Sequence, residues 1–174
     1  SPLAPAGDAE QGGMNAPALA AAAPAAAAGW LVLTLDSLQL TLPQRSVRQV
    51  ELIGDLHRAD PGTSGPAAWL TRADGYSWPA YCLDGALRRL PAVPDTRRLG
   101  VFFDTGETVC GILCDRVASL ATDAELVVEP VPGCMTGLPS PLTGVARLRD
   151  GIAAVTNSAA LFDYLNNLPE PDRG

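Results

Sequence analysis

From Trp30 onward the chain consists of short apolar runs broken by turn residues, the pattern of a β-rich domain. Residues 30–35 (WLVLTL) read as a strand, Asp36-Ser37 as a tight turn, and residues 38–42 (LQLTL) alternate apolar with polar. Together they predict an opening hairpin. Pro43 ends its second strand, and residues 46–53 turn into a third extended segment. Residues 54–68 are rich in Gly, Pro and Asp and predict a long loop. Strand character returns at 67–71 and at 76–83, on either side of an Asp74-Gly75 turn. Residues 84–90 predict a short helix, stopped by Pro91 and Pro94.

The next hairpin runs from 99–104 through a Thr105-Gly106 turn into 107–119. Alternation puts Val109, Gly111, Leu113 and Asp115 on one face of the returning strand, and Cys110, Ile112 and Cys114 on the other. A strand at 125–129, a Pro/Gly-rich loop at 130–143 and a hairpin of 144–148 with 152–156 across Asp150-Gly151 follow. Asn157-Ser158 caps a helix over 159–165. Residues 1–29 are a low-complexity Ala/Pro/Gly segment without an amphipathic stripe, read as a flexible tail or linker. The folded domain is expected over 30–166, with a polar C-terminal tail at 167–174.

Composition narrows the function. With 12 basic and 19 acidic residues the formal charge is -7, which lacks the basic footprint of a nucleic-acid or anionic-membrane ligand. No stretch approaches the ~20 strongly apolar residues of a membrane span. Every basic residue is an arginine, so Schiff-base chemistry and a phosphate-loop lysine are excluded. The single histidine, His57, sits in a polar loop and rules out a multi-histidine metal site. Cys82, Cys110, Cys114 and Cys134 match neither a C-x-x-C nor a zinc-knuckle spacing. Cys110 and Cys114 would lie ~13 Å apart along an extended strand, beyond a disulfide or one tetrahedral metal. Without a leucine-rich secretory signal, the four are read as reduced thiols of a cytoplasmic protein.

One triplet invites catalysis. Asp104-Thr105-Gly106, preceded by Phe102 and Phe103, is similar to an aspartic-protease loop. Such a site needs a second carboxylate that shares a proton. Glu107 would instead add charge beside the pair, and the sequence has no second Asp-Thr-Gly or Asp-Ser-Gly. Asp and Gly are also what a hairpin tip favours.

Four stretches in order resemble the CheW-like domains of bacterial chemosensory systems. Residues 42–50 (LPQRSVRQV) match a family segment L-P-x-x-x-V-x-x-V, and 77–90 resemble its proline-containing strand and the short helix after it. Residues 109–117 (VCGILCDRV) fit V-x-G-apolar-x-x-D-x-V position by position, and the 144–156 hairpin closes the series. Two positions depart from the family: Gln49 stands where Glu is usual, and Asp74-Gly75 where Arg-Gly is usual, with Arg72 two positions away.

The resemblance implies two small intertwined five-stranded β-barrels with short helices, a groove between them, no cofactor, no metal and no catalysis. It further implies an adaptor that binds a chemoreceptor, a histidine kinase regulatory domain or another signalling protein. The protein-binding residues it nominates are Val47, Gln49, Val50, Asp74, Gly75, Trp78 and Pro79. The alternatives from other classes are a hydrolase built on Asp104 and a purely structural β-domain.

Overall fold

A computed structural model describes residues 29–120, 127–131, 140–149 and 151–169. The expected N-terminal tail, the loop holding Cys134 and the last five residues lie outside the described residues, apart from Gly29.

The opening hairpin forms as expected, from β1 (Trp30–Leu35) and β2 (Leu38–Pro43). A single 3-10 turn (Gln44–Ser46) leads into β3 (Val47–Leu52). A second one (Ile53–Asp55) precedes the two-residue β4 (His57–Arg58). Strands β5 (Ala68–Thr71), β6 (Ser77–Tyr81), β7 (Leu99–Asp104), β8 (Val109–Cys114) and β9 (Arg116–Leu120) follow. The chain then forms β10 (Val127–Glu129), β11 (Gly144–Leu148), β12 (Gly151–Val155) and helix α1 (Ser158–Asn166). Asn157 caps α1, its side chain accepting the Ala160 N–H at 2.8 Å.

Two sheets result. The first has the order β9-β1-β2-β12-β11-β10 and the second β3-β7-β8-β6-β5-β4. Each contains a parallel pair, β2 with β12 and β6 with β8, which ties distant parts of the chain together. The architecture is therefore mainly β, as the pattern of apolar runs predicts, in two interlocked units, as the CheW-like resemblance implied. Each sheet has six strands, because the short β4 and β10 add to their edges.

The strand expected over 107–119 is two strands belonging to different sheets. It leaves the second sheet at Cys114 and enters the first at Arg116, so Asp115 is the crossing point. Its two faces are sorted as alternation requires. Cys110, Ile112 and Cys114 pack in a cluster with Leu31, Leu33, Leu35, Leu40 and Leu42 of the first sheet. Val109 and Leu113 join Phe102, Leu70 and Ala68 in a second cluster on the other face.

The sharpest difference from expectation is at 84–90, where the chain makes a turn instead of a helix. The Asp84 carboxylate accepts the N–H groups of Ala86 and Arg88, each at 2.9 Å, and Leu87 adopts φ +64°. An aspartate that binds the backbone two and four residues ahead offers the chain an alternative to the helix ladder.

Beside this turn lies an ionic group invisible in the sequence pattern. Arg97, whose side chain is wholly buried, donates from Nη1 to Asp36 at 3.0 Å and to Asp115 at 2.7 Å. Its Nη2 donates to the Leu83 carbonyl at 2.6 Å. Desolvation works against its charge, but the hydrogen bonds to Asp36 and Asp115 outweigh that cost and raise its pKa.

Candidate protein-binding surface

Strand β3 carries most of the nominated residues, and a register shift decides how it presents them. Val47 pairs with Phe103 and Gln49 with Phe102, so Arg48 is an extra residue in the ladder. Without that bulge, Val47 and Val50 would point to opposite faces, being three positions apart. With it, Val47, Val50 and Leu52 stand opposite Phe103, Val101 and Leu99 and share their face. A row of three aliphatic side chains results.

The row is graded in burial. Val47 is half-buried and packs on the large core cluster, while Val50 and Leu52 are 41% and 61% exposed. Among the described residues strand β3 is the edge strand of its sheet. Val47 and Val50 line a cleft of about 470 Å³ together with Leu31 of the first sheet and with Gln44, Arg45 and Gln49. The cleft thus spans both sheets.

On the opposite face of β3, Gln49 donates a hydrogen bond to Glu51. Both border a second depression, about 330 Å³, whose far wall is Thr71, Arg72 and Ala73 of the β5–β6 hairpin. At that hairpin's tip, Gly75 takes φ +91° and donates to the Arg72 carbonyl at 3.0 Å, while Tyr76 N–H donates to Asp74 at 3.0 Å. The left-handed conformation is the reason for glycine there. Arg72 lies over Trp78, 4.3 Å from the ring centroid, and reaches Asp74 at 3.5 Å. Trp78 is half-buried, 5.9 Å from the Phe102 ring, and Pro79 follows it opposite Trp69.

The structure thus brings Val47, Gln49 and Val50 to one cleft and sets Gln49 across from the hairpin that holds Asp74, Gly75 and Trp78. Leu52, Arg45 and the exposed Tyr76 were missed by sequence reasoning. Leu52 was legible as the next residue of an apolar alternation. Arg45 and Tyr76 carry no sequence signal of their own.

Asp104 is a hairpin-tip residue. Its Oδ1 accepts the Gly106 N–H at 2.7 Å and its Oδ2 accepts from Arg48 at 2.6 Å. The Gly106 amide and the Arg48 guanidinium hold its carboxyl below the ordinary value. A carboxyl that shares a proton with a partner needs the opposite shift for one member of the pair. Among the described residues no group of His, Cys, Asp and Glu is placed to hold a metal, and none of the described helices is long and apolar enough to cross a membrane.

No family model and no curated protein matches the sequence. The fold does have a solved counterpart. The scaffolding protein TtCheW from Thermoanaerobacter tengcongensis superposes with a TM-score of 0.57 at 14% identity, covering 74% of this chain and 88% of that one. The fold is CheW-like. At that identity the likeness speaks for the architecture, and the CheW-like arrangement of two joined β units accounts for a cleft lined from both sheets.

Proposed function

We propose that the chain is a non-catalytic adaptor of a bacterial chemosensory array, working in the cytoplasm. Its cleft takes a signalling partner, such as a chemoreceptor tip or a histidine kinase regulatory domain. The observation that carries this reading is the aliphatic row on β3, aligned by the Arg48 bulge beside a cleft that spans both sheets. Exposed apolar groups at the end of a sheet mark an interaction surface more often than a catalytic one. Gln49 in place of the family's usual Glu, and Asp74 in place of its usual Arg, change the charge of the surface. Partner choice is accordingly shifted from that of typical members.

Val50 is the position to test, because it is exposed while Val47 packs on the core. Val50→Asp is expected to keep the parent melting temperature and to lose at least about tenfold in affinity, or 1.4 kcal/mol, as an interface anchor does. Val47→Asp is expected to unfold the domain by burying an unpaired charge. The check is co-purification and calorimetry with a chemoreceptor signalling fragment and with a kinase regulatory domain. A folded Val50→Asp protein with undiminished binding would remove this surface.

A further inference from the structure

Arg97 is a fully buried cation far from the proposed binding cleft, and its partners come from three separate pieces of chain. Asp36 is the turn of the β1–β2 hairpin in the first sheet. Asp115 is the crossing residue between the sheets. The Leu83 carbonyl belongs to the segment leaving β6 of the second sheet. The carboxylates are held in turn by backbone donors: Asp36 accepts from Gly85 N–H at 2.9 Å, and Asp115 accepts from Asp36 N–H at 3.0 Å. Arg97, Asp36 and Asp115 therefore form a clasp joining the first sheet's hairpin to the second sheet.

The two sheets also share an apolar cluster, but apolar contacts are non-directional and leave small slides inexpensive. A guanidinium bonded to two carboxylates and a carbonyl fixes direction as well as distance. The clasp sits at one end of the β1–β2 hairpin and Leu31 at the other, roughly 16 Å away by the ~3.3 Å rise per residue. Leu31 forms one wall of the cleft whose other wall is Val47 and Val50. Any tilt of the hairpin at Asp36 is carried along its length to that wall.

We infer that Arg97 is a positioning residue which, through Asp36 and Asp115, sets the tilt of the β1–β2 hairpin on the second sheet and thereby the width of the cleft. The inference rests on the proposed binding role for its importance, but its geometry can be tested without any partner. Asp36 has φ +57°, a conformation glycine adopts without strain. Asp36→Gly therefore removes one arm of the clasp while leaving the turn intact. Loss of the Asp36 bond to buried Arg97 lowers stability whether or not the hairpin tilts, so the distance between the sheets is what decides.

The test uses spin labels at Ser119→Cys and Thr71→Cys in the full chain, with Cys134→Ser. Ser119 lies on β9 opposite Leu31 and reports the cleft end of the first sheet, and Thr71 lies on β5 of the second; both are exposed. Cys82, Cys110 and Cys114 are buried and escape labelling. The parent should give one narrow distance, and Asp36→Gly a distribution shifted or broadened by about 1–2 Å, the scale of small shifts between packed elements. Arg97→Met should exaggerate the change and Arg97→Lys should reverse part of it. An unchanged distribution in folded Asp36→Gly overturns the inference, whether or not the Arg97 variants fold. A shifted distance alongside undiminished binding by Val50→Asp would keep the clasp and sink the proposed surface instead.

Discussion

Gly111 shows how one residue's size can be dictated by a neighbour on the adjacent strand. A Cβ built there would stand 2.7 Å and 2.9 Å from two carbons of the Phe102 ring and 2.9 Å from the Val101 carbonyl. Phe102 pairs directly with Gly111 across β7 and β8, so its ring occupies the space a side chain would need. Gly111→Ala should cost about 1–3 kcal/mol through overpacking, since ring and carbonyl are both held by the core. Chemical denaturation checks this: the midpoint should fall with an unchanged slope, and an unchanged midpoint would mean that the ring yields freely. By contrast, the glycine at Gly75 answers to backbone conformation, with open space around its Cα.

At the scale of the element, β8 converts alternation into chemistry. Cys110 and Cys114 face the large cluster, where burial pushes each thiol up to about 12, and Cys82 is pushed up to about 11, again chiefly by burial. Thiolates are the reactive form, so these three should be inert near pH 8. In a Cys134→Ser protein, a chromogenic disulfide reagent should titrate essentially no thiol under native conditions and three after denaturation. Rapid native reaction at any of the three would contradict the packing of β8 or β6. Strand β3 teaches the reverse lesson, because its one extra residue places two valines on the same face that strict alternation would separate.

For the whole molecule, electrostatics predicts the direction of acid sensitivity. Asp36 is held below its ordinary value first by the hydrogen bond from Arg97, and Asp104 first by the Gly106 amide and then by Arg48. A carboxyl with a lowered folded pKa contributes stability that is complete above its unfolded pKa and is lost as pH falls through the folded one. With an ordinary value of 3.8, the loss should begin near pH 5 and deepen below pH 4. Added salt should weaken the effect, since both carboxylates reach solvent. Urea midpoints at pH 7, 4 and 3 provide the measurement. The Asp36→Gly, Asp104→Asn double variant should show a shallower decline than the parent; an equal decline would place the acid sensitivity elsewhere.

Local pattern determined most of the elements. The opening hairpin, the faces of the 109–114 strand, the Asp74-Gly75 and Thr105-Gly106 turns and the Asn157 cap all follow from period, propensity and turn chemistry acting over a few residues. The ordered set of motifs also pointed to the CheW-like fold. Tertiary structure alone decided three things. The 107–119 segment is divided between two sheets at Asp115, because Arg97, arriving from 18 positions away, holds that aspartate at the crossing. The 84–90 segment turns instead of coiling, because the Asp36 carboxylate takes the Gly85 N–H and the Tyr164 hydroxyl donates to the Leu87 carbonyl, fixing the turn that Asp84 starts locally. The aliphatic row on β3 exists because β7 receives β3 with an extra residue. Each of these depends on a partner brought close only by folding, which a periodicity read along a single strand does not contain.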